Sequence, residues 1–129
     1  MTILAKRSVA LIIRNGDRIL TVRRPDDDDE LPGIWGLPAG SFDGTETLED
    51  VVVRIGHDNL GVELIPGKQL TSGNQDRPGY TIAMQLIEAV MAGDPHHREW
   101  KWDSVEVLRD GARKGSLCCA LALEPAGRS

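Results

Sequence analysis

Residues 31–42 are broken by Pro32, Gly33, Gly36, Pro38 and Gly40, and the stretch that follows switches to helical periodicity. Proline lacks an amide hydrogen and glycine favours turns, so the broken segment is irregular or briefly extended backbone. From Thr45 onward, Leu48, Val51, Val52, Ile55 and Leu60 recur at the spacing of one helix face, and Gly61 stops the run. The pattern predicts a helix over residues 45–60, capped by Thr45. Three consecutive valines, Val51, Val52 and Val53, disfavour an isolated helix, so packing must hold it.

The flanks read as strands. Residues 8–13 are apolar and β-branched, Asn15, Gly16 and Asp17 signal a turn, and residues 18–22 alternate, which together predict a β-hairpin. Pro25 ends it, and the acidic run Asp26 to Glu30 is expected as a solvated loop. After the helix comes a short strand over residues 62–65, residues 69–75 lead to a turn at Arg77, Pro78 and Gly79, and a long strand follows over residues 80–90. Residues 99–107 hold a short strand and a turn, and residues 117–124 form a helix or a strand. This order predicts one α+β domain over residues 1–129, an α/β/α sandwich in which a mixed sheet is flanked by helices.

Charge and length narrow the function classes. With 15 Lys+Arg against 20 Asp+Glu, the net charge of −5 argues against a surface for nucleic acid polymers or anionic membrane. The longest apolar run, residues 117–123, is too short to span a bilayer, and no cleavage signal follows the basic N-terminus. Cys118 and Cys119 are adjacent and cannot staple distant segments, which fits a reduced, cytoplasmic protein.

Gly40, five residues, Glu46, seven residues, Arg54, and then Gly61 followed by Val62 form an ungapped pattern that resembles the box of the Nudix hydrolase family. Pro32, Gly33 and Trp35 before it, and Glu99, Trp102 and the Glu106-Val107-Leu108 segment after it, extend the resemblance over most of the chain. The resemblance implies a Nudix-like mixed sheet with flanking helices. It also implies hydrolysis of a nucleoside diphosphate linked to another group, with Mg²⁺ (or Mn²⁺) held by carboxylates of the box helix. Four positions depart from the family: Ile55 stands where a glutamate follows the arginine, Gly56 replaces an aliphatic residue, and Asp58 and Asn59 stand where paired glutamates are expected. One carboxylate on that turn makes a weak site for a cation that wants octahedral oxygen ligation. The expected activity is therefore a weak pyrophosphohydrolase; the alternative is an inactive Nudix-fold module that binds a nucleotide or small ligand.

The expected roles follow residue by residue. Asp58 and Glu99 are the candidate catalytic and metal-binding acids, with Glu99 supplied from outside the helix; a plain surface acid is the competing reading. Arg23 and Arg24, at the end of the second strand, and Gly40 are the candidate substrate-binding residues, because guanidinium geometry fits a diphosphate. Balance of a charged strand end by residues 26–29 is the competing reading for the arginines. Glu46, Arg54 and Gly61 are structural residues of the box. Asp50, Arg54 and Asp58, four apart, are expected to form a ladder. His57 is either a general base or a solvated helix residue, and Trp35, Trp100 and Trp102 either stack a base or anchor the core. The expected partner is a small phosphorylated ligand, and a homodimer stays open.

Overall fold

The computed structural model describes residues 4–28, 31–96 and 99–126. Its strands are β1 (Leu4–Asn15), β2 (Arg18–Arg23), β3 (Trp35–Gly36), β4 (Ala39–Ser41), β5 (Glu63–Arg77), β6 (Tyr80–Ala92) and β7 (Trp100–Asp103). Its α-helices are α1 (Leu48–Ile55), α2 (Arg109–Arg113) and α3 (Leu117–Ala126). None is long and apolar enough to cross a membrane.

The apolar run over residues 9–13 decides the centre of the sheet. Val9, Leu11 and Ile13 face one core cluster, while Ala10 and Ile12 face another. A strand apolar on both faces belongs between two covering layers. β1 holds that place, parallel to β6 from Leu4↔Tyr80 to Ile13↔Ala89 and antiparallel to β4 and to the start of β2. The strand order is β3-β2-β1-β6-β5, with β7 on β2. α1 covers one face through Val51, Val52 and Ile55, and α3 covers the other through Cys118, Cys119, Leu121 and Ala122. The mixed sheet between helices is the expected architecture.

Three elements differ in detail. The short strand expected over residues 62–65 runs on through residues 69–75 as β5, Glu63–Arg77, with register shifts between Pro66, Gln69 and Thr71; an edge strand tolerates a proline that cannot donate to a ladder. The helix starts at Leu48, because Thr47 and not Thr45 caps it: Asp50 N–H donates to Thr47 Oγ1 at 3.2 Å and Thr47 N–H to Asp50 Oδ2 at 3.0 Å. Past Ile55 the helix widens into one π-type turn, Gly56–Leu60, which Gly61 closes in a left-handed conformation (φ 72°). The segment that reads as helix or strand is the helix α3. It is apolar on all sides, so periodicity alone could not choose.

Candidate functional site

The junction between the glycine-rich loop and α1 is fixed by Arg54. Its Nε donates to Glu46 Oε2 at 2.9 Å, and its Nη2 donates to Glu46 Oε1 at 2.8 Å and to the Ser41 carbonyl at 2.5 Å. Glu46 also accepts from Asp43 N–H at 2.7 Å. The Arg54 hydrogen bond holds the Glu46 carboxyl below its usual range, and Glu46 raises the guanidinium in return. The expected Asp50-Arg54-Asp58 ladder is not formed. Asp50 is committed to the capping box, and Asp58 acts on Arg54 only as a nearby charge.

The two box positions that lack an acid are occupied structurally. Ile55 is 1% exposed and packs in the α1-side core; a Cβ on Gly40 would lie 3.0 Å from its Cγ1. A side chain at 40 would press on Ile55, which comes up directly beneath the loop. Asn59 Nδ2 donates to the Ala39 carbonyl at 3.2 Å, which ties the π turn to the same loop. A glutamate at 59 would face that carbonyl with no hydrogen to give. This tether was not foreseen, although an amide where the family carries an acid was the available signal.

Asp58 is exposed beside Glu46, Glu49, Asp50 and His57 on a shallow groove along α1. Glu99 lies ahead of β7, where Arg23 N–H donates to its carbonyl at 3.0 Å and Arg23 Nη1 stands 3.6 Å from its carboxylate. Among the described residues no three His, Cys, Asp or Glu side chains converge on one point. The described donor set therefore does not by itself make a divalent-metal site. His57 Nε2 is paired with Glu63 Oε1 at 2.6 Å. His96 is exposed; its expected neighbour His97 lies outside the described residues, as do Asp29 and Glu30 of the acidic run.

On the other side of the Gly40 loop a cleft of about 410 Å³ opens over the sheet. Arg24, Gly40, Ser41, Lys6, Tyr80 and Cys118 are among the residues that line it. The parallel pairing of β1 with β6 brings Lys6 beside Tyr80, with Nζ 4.8 Å from the ring centroid, and no local sequence signal announces that contact. At the start of α3 the Cys119 thiol lowers that of Cys118 by hydrogen bonding, helped by the Ser116 hydroxyl 3.3 Å away, and is itself raised. Two of the tryptophans are core anchors. Trp100 and Trp102 meet edge to face at 6.3 Å and pack on the α1-side core, and Lys101 Nζ lies 4.3 Å over Trp35.

Comparison with known proteins bears on this arrangement. A family model described as the NUDIX domain matches residues 4–118. No curated protein matches the sequence. Among solved structures, the chain is similar to the E. coli ORF135 protein, with 25% identity over 83% of this chain and 79% of that one (TM-score 0.72). It is similar in fold to a MutT protein from Methanosarcina mazei Go1, with 24% identity over 84% and 83% of the two chains (TM-score 0.71). An ADP-ribose pyrophosphatase from Streptococcus suis also shares the fold, at 21% identity over 96% and 92% (TM-score 0.64).

Proposed function

Because the chain belongs to the Nudix family, we propose that it takes a small pyrophosphate-containing ligand of the nucleoside diphosphate type into the cleft beside Gly40 and hydrolyses it slowly. The observation that carries the reading is the intact frame of Arg54, Glu46 and the Ser41 carbonyl, which holds the glycine loop open at the cleft edge. Arg24 and the backbone at Gly40 bind and orient the phosphates. Hydrolysis breaks a P–O bond by attack of water; the acids proposed to take its proton, Asp58 and Glu99, stand outside the cleft lining, on the α1 groove and ahead of β7, so the ligand must extend past the Gly40 loop to meet either of them. With Ile55 unable to accept a proton and Asn59 committed to Ala39, the site has little more to offer, and turnover is slow.

The same two residues favour a second reading, a module that binds the ligand and leaves it intact. Calorimetric titration of ADP and ADP-ribose, followed by product analysis of the same samples, tests both. Binding that is lost in Arg24→Gln supports the cleft assignment. Slow product release that falls further in Asp58→Ala supports the hydrolase, binding with no product supports the module, and no binding of any nucleotide contradicts both.

A further inference from the structure

The arginines at the end of β2 already hold anions. Arg24 Nη1 donates to Asp28 Oδ2 at 3.0 Å, and both residues line the cleft. Arg23 Nη2 donates to Asp26 Oδ1 at 2.5 Å, while its Nη1 lies near Glu99. The loop that carries the aspartates is folded back on itself. Asp28 N–H and Gly33 N–H both donate to the Pro25 carbonyl at 3.1 Å, Arg24 N–H donates to the Ile34 carbonyl at 2.9 Å, and Leu31 N–H donates to Asp28 Oδ2 at 2.9 Å. Gly33 lies beneath the outer pair with φ +71°, and a Cβ there would stand 2.9 Å from Arg23 Nη2 and 3.4 Å from Asp26 Oδ1. The backbone is thus shaped so that the two carboxylates seat on the two guanidinium groups.

We propose that Asp28 is an intramolecular stand-in for phosphate, a clamp that the incoming ligand must displace from Arg24, while the Arg23–Asp26 pair stands beside it outside the cleft lining. The proposal rests on the reading of the cleft as a pyrophosphate site. Carboxylate and phosphate oxygens present themselves to a guanidinium fork in the same way, so ligand binding is an exchange of partners and not a net gain of ion pairs. Two consequences follow. Affinity is held down, because Arg24 gives up one anion to accept another. Salt dependence is shallow, because ionic strength screens the pairs that break as well as the pairs that form.

The test is calorimetric titration of inorganic pyrophosphate and of ADP into wild type, Asp26→Asn, Asp28→Asn and the double variant, at about 50 and about 300 mM NaCl. Asparagine keeps an acceptor oxygen for Leu31 N–H, so the loop is retained while the charge is removed. Asp28→Asn, alone or in the double variant, is expected to bind roughly three- to tenfold more tightly at low salt and to lose affinity with salt more steeply than wild type, whereas Asp26→Asn alone is expected to match wild type. Should Asp28→Asn fail to fold, Asp28→Ser, which also keeps an acceptor oxygen for Leu31 N–H, carries the test. Equal affinity and equal salt slopes, with binding still abolished by Arg24→Gln, would overturn the clamp and leave the ligand site standing. Folded variants and wild type that all fail to bind pyrophosphate and ADP would overturn the ligand site and the clamp together.

Discussion

Replacing Ile55 by glutamate restores the family's acid in sequence while attacking the core in space, and the structure says which effect wins. Ile55 is 1% exposed, in contact range of the Gly40 loop and part of the α1-side cluster with Val51, Val52 and Leu60. Removing its apolar branches costs about 2–4 kcal/mol, of which the two glutamate methylenes recover part. Burying even a neutral carboxyl adds about 1–3 kcal/mol. A net loss of about 3–5 kcal/mol is a large share of the total stability of a small domain, about 5–15 kcal/mol. Urea unfolding followed by tryptophan fluorescence should show the midpoint falling by about 2 M. Burial raises the folded-state pKa of the new carboxyl above its unfolded value, so the loss is smallest in acid and deepens as pH rises through the folded pKa. An Ile55→Glu variant as stable as wild type at neutral pH would refute the reasoning, because position 55 would then face the open site.

Arg54→Ala should lower the melting temperature clearly at neutral pH. That difference should shrink as pH falls through the depressed Glu46 pKa, since the stabilisation is present above the unfolded carboxylate pKa and is lost as Glu46 protonates. An unchanged melting temperature would mean that the Glu46 and Ser41 contacts are not made. Asn59→Asp removes the donor to Ala39 and should cost about 1 kcal/mol, a drop of about 3–5 °C by scanning calorimetry. The same variant should bind Mg²⁺ more tightly than wild type when titrated with nucleotide present, and unchanged Mg²⁺ affinity would count against position 59 as the reason for a weak site. Gly33→Ala should weaken the Arg23-Asp26 pair and destabilise the loop, which melting curves at low and high salt would register; a variant with wild-type stability would show that Gly33 is not under strain.

The large elements were legible because each carries its own periodicity or breaker. The run over residues 8–13 was legible as a strand, though not as one covered on both faces, and the spacing of Leu48, Val51, Val52 and Ile55 announced the helix that covers one of those faces. What the periodicity could not resolve was competition among neighbours of similar chemistry. Thr45 and Thr47 both suit an N-cap, and only the reach of Asp50 back to Thr47 N–H decides between them. Arg54 had Asp50 and Asp58 at helical spacing, yet Glu46 reaches it from the loop and engages the Nε–Nη2 edge of the guanidinium with both carboxylate oxygens. The cleft was invisible along the chain, because Lys6, Arg24, Tyr80 and Cys118 meet only through parallel strand pairing and the docking of α3. Departures from the box were readable as lost acids, whereas their new duties, the burial of Ile55 and the Asn59 tether, needed the third dimension.

The central claim is that a cleft able to hold a pyrophosphate ligand sits beside a box helix left with little catalytic chemistry. A panel of nucleoside di- and triphosphates, nucleotide sugars and dinucleotides, assayed with Mg²⁺ and with Mn²⁺ for release of phosphate, pyrophosphate or nucleotide, tests it most directly. The account predicts saturable binding of at least one compound with a kcat well below about 1 s⁻¹, the low end of ordinary enzymes, and further loss in Asp58→Ala with Glu99→Ala. Brisk turnover that survives removal of both acids would contradict it, because the active carboxylates would then lie elsewhere.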